Sequence, residues 1–228
     1  QFNIAVELIT NQTERDELAR MNLIAGRRAL ASTAYATAAK YLTTGIQFLS
    51  SDSWETNYHL TLALYEKAAE AAYVAGDFEQ TEQLVEVVLV QAKTLLEKVK
   101  VYEVRIEAYK AQSRGVEAIR TGLEVLKLLG IEFPEQPSQE DIEIALEETQ
   151  IALAGRQIED LLNLPNMTEP KKLTAMNILV RLLPITCVSN PPLFSLVVFK
   201  QVNISLNYGN CAASALSYGT YAITIWNI

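Results

Sequence analysis

The first 133 residues of the chain contain no proline, and their apolar residues recur three and four positions apart. Residues 63–75 and 84–99 show this spacing most clearly, and it is the spacing of one buried helix face. Gly76-Asp77 and the segment Lys110–Gly115 have the composition of tight turns between such helices. The pattern predicts an all-α fold of about ten helices joined as hairpins, and no segment remains as a strand candidate.

Proline and glycine mark the later helix boundaries. Gly130 is expected to end a helix, and Pro134 lies in the connector that follows. Ser138, with Asp141 three residues on, is typical of a helix start in which the two side chains cap each other. An earlier start, capped by Asp52, is expected near Trp54. Further breaks are expected at 165–170, 190–192 and 209–210.

Three segments fit the tetratricopeptide pattern, in which small residues stand where the two helices of a hairpin cross. Ala38, Thr81 and Ala118 are equivalent small positions, and residues 75–79 (AGDFE) have the sequence of the usual turn. The spacings of 43 and 37 residues exceed the usual period of about 34. We therefore predict a degenerate tetratricopeptide-like helical-hairpin solenoid, a right-handed superhelix.

The solenoid is expected to be continuous but uneven along the chain. Residues 1–133 are predicted to form the tetratricopeptide-like hairpins, residues 134–190 an atypical helical insert, and residues 191–228 a final, truncated hairpin. The chain begins at Gln1 rather than Met, and an apolar run occupies 223–226. We interpret it as a fragment of a longer chain.

Charge is distributed unevenly. Residues 1–181 carry all 27 acidic and 18 of the 19 basic side chains, whereas residues 182–228 carry only Lys200. An internal repeat of a solenoid buries both of its flanks against its neighbours. The uncharged stretch is therefore predicted to be an internal repeat that lacks its next neighbour. We expect the chain to self-associate through residues 212–228.

The composition also restricts the partners and the compartment. An acidic chain without a basic run is a poor nucleic-acid ligand. A membrane span is disfavoured because Pro184 and residues 190–192 interrupt the most apolar stretch. Cys187 and Cys211 lie in apolar surroundings and are predicted to be buried thiols in a reducing compartment. These features favour a cytoplasmic protein that binds neither nucleic acid nor membrane.

The sequence lacks the common motifs of catalysis. There is no phosphate-binding glycine loop, no GxSxG elbow and no zinc-ligand spacing. The single histidine, His59, is interpreted as a partly exposed histidine near a helix start, with a catalytic or metal role as the minor alternative. We therefore expect no catalytic residue, no cofactor and no metal in this segment.

Two pairs of carboxylates could line a groove. Glu66 and Glu70, and likewise Glu103 and Glu107, are four residues apart and so share a helix face. In the repeat register above they occupy first-helix positions, which usually line the concave surface of such solenoids. The functional hypothesis is an acidic groove for a basic peptide, and the alternative is an ordinary solvated helix face.

One further set of strings is distinctive: residues 31–46, 98–104, 128–134, 158–161 and 207–210, together with Tyr218-Gly219. These strings resemble one known region, the helical segment of very large bacterial multi-sensor signalling kinases. Such proteins typically join a serine/threonine kinase domain, an AAA/STAND-like ATPase domain, this segment, and GAF and histidine-kinase domains. The resemblance implies a segment between an ATPase switch and sensor or output domains. No catalytic residue of that family falls within these positions.

Two hypotheses of function follow. The first is a non-catalytic scaffold that mediates interdomain or protein–protein contact and couples the ATPase switch to sensor and kinase domains. The alternative is a ligand- or peptide-sensing regulatory domain that uses the acidic groove. An independent enzyme is the least supported interpretation of the sequence.

Overall fold

The computed structural model describes residues 9–226, except for the side chain of Ile158. This part of the chain is all-α, as predicted, and contains no strand beyond a single bridge between Asn166 and Asn210. Ten of its twelve helices have 13 or more residues. The helices are α1 (Gln12–Ala31), α2 (Tyr35–Gln47), α3 (Ser53–Thr56), α4 (Tyr58–Val74), α5 (Phe78–Gln91), α6 (Leu95–Ala111), α7 (Gly115–Leu128), α8 (Gln139–Leu153), α9 (Ile158–Leu162), α10 (Pro170–Ser189), α11 (Pro191–Tyr208) and α12 (Ser214–Trp226).

The chain divides into two compact units, Gln1–Ala108 and Tyr109–Ile228, with the division inside α6. In the first unit, α1 packs against α2, α4 packs against both, and α5 packs against α4. Glycines allow the close approach: a Cβ on Gly26 would overlap the side chain of Leu42, and one on Gly45 would lie 2.7 Å from Leu64. Leucine from one helix thus enters a glycine position on another.

In the second unit α11 contacts three helices: α8, α10 and α12. Helix α10 also packs against α7, where the side chain of Leu182 lies 2.7 Å from the point that a Cβ on Gly122 would occupy. The buried side chains of α10 and α11 include Ile178, Leu179 and Phe199. The two longest helices of this unit therefore form its core.

The predicted boundaries at Gly76, Gly130 and Ser138 are confirmed. Gly76 and Gly130 end their helices with φ of 84° and 82°. Ser138 and Asp141 cap the start of α8 reciprocally: the backbone N–H of Ser138 donates to the Asp141 carboxylate at 2.8 Å, and the N–H of Asp141 donates to the Ser138 hydroxyl at 3.2 Å. These local patterns are visible in sequence because each needs only three or four consecutive residues.

Asn210, at the turn after α11, connects distant segments of the second unit. Its backbone N–H donates to the Pro165 carbonyl at 2.7 Å, and its own carbonyl accepts from Met167 N–H at 2.7 Å. Its side-chain amide donates to the Leu161 carbonyl at 2.6 Å. A Cβ on the preceding Gly209 (φ 95°) would collide with Pro165. Glycine is therefore required at that crossing.

Two predictions of helix extent were wrong. Residues 84–99 do not form one helix, because α5 ends at Gln91 and α6 begins at Leu95. The helix near Trp54 is only the single turn α3, and the side chain of Asp52 does not cap it. Asn57, with φ −138° and ψ 43°, separates α3 from the long helix α4.

Predictions for the uncharged stretch also need correction. Pro184 does not interrupt the helix, since α10 continues from Pro170 to Ser189. By length and composition α10 is the one helix in residues 9–226 that could cross a membrane, and its apolar face packs inside the second unit. Cys187, near the end of α10, is exposed, and Cys211, in the turn after α11, is half-buried. The prediction of two buried thiols was therefore wrong.

Candidate functional site

The predicted carboxylates lie on two helices of the first unit, α4 and α6. Lys100 on α6 donates from Nζ to Oε2 of Glu66 on α4 at 3.1 Å, so the two side chains bridge these helices. The Glu66 side chain is only 11% exposed, and its second oxygen, Oε1, is buried without a hydrogen-bond partner among the described residues. A carboxylate oxygen left in this state is energetically costly.

The other members of the set are half-buried. Glu70 pairs with Lys67 at 2.6 Å on α4. Glu103 and Glu107 follow Lys100 by one and two turns on α6, and each is engaged with a neighbouring group. We name the predicted set Glu66, Glu70, Glu103 and Glu107 the acidic face. Its members lie on α4 and α6, and the ion pair between Lys100 and Glu66 joins these two helices.

Arg105 holds α6 against α5. Its Nε lies 3.2 Å from Oε2 of Glu82 and its Nη2 lies 2.8 Å from Oε1, which is the two-pronged geometry favoured by guanidinium and carboxylate. Glu86 contacts the same guanidinium. The Arg105 side chain is 11% exposed. We name these three residues the Arg105 clamp. Sequence reasoning missed it, because the partners lie 19 and 23 residues apart.

A polar cluster at the start of α6 was also missed. Thr94 N–H and its hydroxyl each donate to Oε2 of Glu97 at 2.9 Å, and Glu97 N–H donates back to Thr94 at 3.3 Å. The Tyr58 hydroxyl donates to the same Glu97 oxygen at 3.0 Å and accepts from Lys93 N–H at 2.9 Å. The sequence Thr94-x-x-Glu97 is a capping-box signal that could have located this boundary.

These hydrogen bonds shift the acidity of the two groups. Burial raises the pKa of Glu97, but the hydrogen bonds from Thr94 and Tyr58 outweigh it and hold that pKa below the usual value. Burial raises the pKa of Tyr58, opposed by the N–H of Lys93 and reinforced by Glu97. Trp54 packs against the Tyr58 ring at 6.0 Å between ring centres. The cluster therefore orders the α5–α6 turn.

The second unit has a surface cavity of about 430 Å³ between α7, the connector after it, and the start of α11. Its apolar walls include Leu123, Phe133 and Leu193, and charged groups including Arg120 and Glu124 surround it. A cavity of about 150 Å³ lies on the other side of Phe133 and Pro134. The larger volume is in the range of small-molecule sites, roughly 300–1,000 Å³. We name it the connector cavity.

The single histidine is placed as the sequence predicted. His59 is half-buried in the first turn of α4, with its ring 5.5 Å from that of Tyr58. Within residues 9–226, no three His, Cys, Asp or Glu side chains come together in a way that could hold a metal ion.

Comparison with known proteins identifies a distant relative. The chain is 22% identical over 251 aligned residues to hybrid signal transduction histidine kinase G of Dictyostelium discoideum. The alignment covers 99% of this chain and 7% of that kinase, so the chain spans a small part of its length. No family model matches the chain. No solved structure matches it either. The similarity places the chain alongside part of a signalling kinase.

Proposed function

We propose that this chain is a non-catalytic helical scaffold within a signalling kinase. In this role it mediates interdomain or protein–protein contact and couples an ATPase switch to sensor and kinase domains, inside the cytoplasm. The observation that carries the proposal is the similarity to a hybrid histidine kinase along 99% of the chain. The parent protein, rather than this segment, supplies ATP binding and phosphoryl transfer.

The packing of the first unit supports a tetratricopeptide-like arrangement. Hairpins α1–α2 and α4–α5 follow one another, and α4 contacts both helices of the first hairpin. At Gly26 and Gly45 a leucine from another helix enters the space above a small residue, which is the role of small positions in helical repeats. A solenoid built in this way transmits movement by shifting one hairpin against the next.

The Arg105 clamp offers a test of coupling. In the full-length kinase, Arg105→Met removes the ion pairs between α6 and α5 but keeps most of the apolar part of the side chain. We expect the phosphotransfer activity to lose its dependence on the nucleotide bound to the ATPase domain. The comparison is nucleotide-dependent autophosphorylation of the two full-length proteins.

Arg114→Met is the matched control, because Arg114 pairs at 2.8 Å with Glu117, only three residues along the chain, and is 45% exposed. It should leave the nucleotide dependence unchanged. Coupling that survives Arg105→Met in a folded protein would count against the scaffold as the transmitting element.

The alternative function, peptide sensing by the acidic face, is favoured by the buried, unpaired Oε1 of Glu66. A basic peptide would supply donors to these carboxylates. Glu70→Lys with Glu107→Lys should abolish binding of a Lys/Arg-rich peptide library, measured by fluorescence anisotropy. Glu143→Lys with Glu147→Lys on α8 makes the same charge change on exposed positions and should not alter binding. Equal binding by both variants would exclude this function.

Small-molecule sensing would use the connector cavity instead. A thermal-shift screen on the 228-residue chain should then give hits that Leu123→Trp abolishes, since the larger ring fills part of the cavity. Leu128→Trp places the same ring at an exposed site on the same helix and should preserve the hits. Hits that persist in Leu123→Trp would show that the ligand binds elsewhere.

A further inference from the structure

Helix α12 has one face packed against α11 and one face open to solvent. Inward, the Ser214 and Ser205 hydroxyls lie 2.8 Å apart and the Tyr221 ring stands edge-on to Phe199. Outward, Leu216 is 52% exposed, Ile223 67% and Trp226 89%. Together with Gly219 these form a stripe at spacings of three and four, which we name the α12 stripe.

Gly219 differs from the other glycines inside long helices. Leu42 fills the space above Gly26, Leu64 the space above Gly45, and Leu182 the space above Gly122. Nothing lies within 4 Å of a Cβ built on Gly219. Elsewhere in this chain, then, a glycine in the body of a helix marks the entry point of a branched aliphatic side chain from another helix.

The α12 stripe is complementary to itself. Ile223 and Gly219 lie two positions either side of residue 221, and Trp226 and Leu216 lie five positions either side of it. When two copies of α12 pair antiparallel about that midpoint, Ile223 of each comes opposite Gly219 of the other. In the same register Trp226 of each comes opposite Leu216 of the other. One two-fold arrangement therefore makes both contacts twice.

Charge favours contact between two copies at this face. The chain carries a net charge of −8, yet residues 201–228 contain no charged side chain. Two copies repel each other over most of their surface, and the repulsion is weakest where charge is absent. An α-helix of 13 residues is only about 20 Å long, so its face is smaller than the roughly 800 Å² per partner of a standard interface. Such a dimer is weak and concentration-dependent.

We propose that the α12 stripe is a homodimer interface, in which α12 of a second copy lies antiparallel and Ile223 of each copy enters the space above Gly219 of the other. This gives the self-association predicted from the uncharged sequence a definite face and register. It does not depend on the proposed kinase function.

Sedimentation velocity on the 228-residue chain tests the proposal between ~10 μM and ~1 mM. We expect a reversible monomer–dimer equilibrium. Ile223→Asp should raise the dissociation constant about tenfold or more, because a carboxylate would be buried without a partner. Ile151→Asp is the matched control, since Ile151 on α8 is 68% exposed, and it should behave as the parent chain.

Gly219→Leu tests the glycine position itself. The site is open, so the monomer tolerates the larger side chain and gains helix propensity. Leucine should nevertheless weaken the dimer by keeping the two helices apart. A chain that stays monomeric throughout the range, an Ile223→Asp variant that dimerises as before, or a Gly219→Leu variant that dimerises more tightly would each overturn the proposal.

Crosslinking tests the register. In a background in which Cys187 and Cys211 are replaced by alanine, a Gly219→Cys chain is mixed with a differently tagged Ile223→Cys chain and oxidised. The mixed disulfide dimer should exceed both homodimers. A preference for either homodimer would rule out the antiparallel register.

Discussion

At the scale of single residues, hydrogen bonds between residues close in the chain could be predicted from the sequence, and ion pairs between distant residues could not. Ser138 and Asp141 are three positions apart, so their mutual capping follows from the sequence alone. The four-residue spacing predicts that Glu66 shares a helix face with Glu70, but the ion-pair partner of Glu66 is Lys100, 34 positions away. Spacing along a helix predicts which residues share a face, whereas their partners depend on which helices pack together.

The Thr94–Glu97 capping box has a measurable effect on stability. Thr94→Ala removes a hydroxyl that both donates to Glu97 and accepts from its N–H. We expect a loss of about 1 kcal/mol in the free energy of unfolding. Urea denaturation followed by circular dichroism provides the measurement. A variant as stable as the parent would show that the Tyr58 contact alone orders this turn.

Glu97 adds a pH dependence of defined sign. Its pKa is lowered in the folded state, so its stabilising contribution is present above the unfolded value of about 4.5 and is lost as the pH falls through the folded pKa. Glu97→Gln should therefore be less stable than the parent at neutral pH. The difference should shrink in acid below about pH 4.5. Thermal melts at several pH values would reveal a constant difference if this assignment were wrong.

At the scale of helices, the position of breaks was harder to predict than the helices themselves. The apolar spacing of residues 84–99 continues across Ala92, which is extended with ψ 135°. At Pro184 the error was the opposite: a break was predicted, but α10 continues through this residue. Buried neighbours on both sides, such as Leu182 and Thr186, hold that helix together. Tertiary packing decided both cases, and local propensity did not.

Pro184 itself is exposed, so its effect on α10 can be isolated. Pro184→Ala restores a backbone N–H and removes the clash that proline makes with the preceding turn. We expect the free energy of unfolding to rise by about 1–3 kcal/mol. Chemical denaturation of the two proteins gives the comparison. A loss of stability would mean that proline at this position favours the packing of α10 against α7 and α11.

Gly122 tests the close approach of α7 and α10. In Gly122→Val the new Cβ would lie only 2.7 Å from the present position of the Leu182 side chain, so the two side chains would overlap. Overpacking of this kind costs about 1–3 kcal/mol despite the gain in helix propensity. Gly219→Val, on an open helix surface, is the control and should be tolerated. Equal stability of the two variants would contradict the tight contact.

At the scale of the whole molecule, the fold class could be predicted from the sequence, whereas the candidate binding sites could not. The all-α class and about ten long helices followed from composition and periodicity, because these depend on every residue. The connector cavity and the Arg105 clamp did not follow, since each brings together segments that no local pattern links. The uncharged stretch contains α12, and the self-association predicted from it stays a prediction, which the α12 stripe makes testable.

The net charge of −8 also predicts how salt affects self-association. Screening reduces the repulsion between two acidic copies without weakening apolar contact. Dimerisation through the α12 stripe should therefore strengthen when NaCl is raised from ~0.05 M to ~0.5 M, because the Debye length falls well below 10 Å. Sedimentation at the two salt concentrations tests this, and weakening by salt would indicate an ion-paired interface instead.

The crossing at Asn210 has a consequence for the order in which the chain folds. The hydrogen bond from its side-chain amide to the Leu161 carbonyl joins residues 49 positions apart, and α10 and α11 lie between them. Closing so long a loop is entropically unfavourable until the intervening helices have paired and brought its ends together. During synthesis on the ribosome, the connector before α10 must therefore wait for Asn210 to emerge, and α12 can only dock after that.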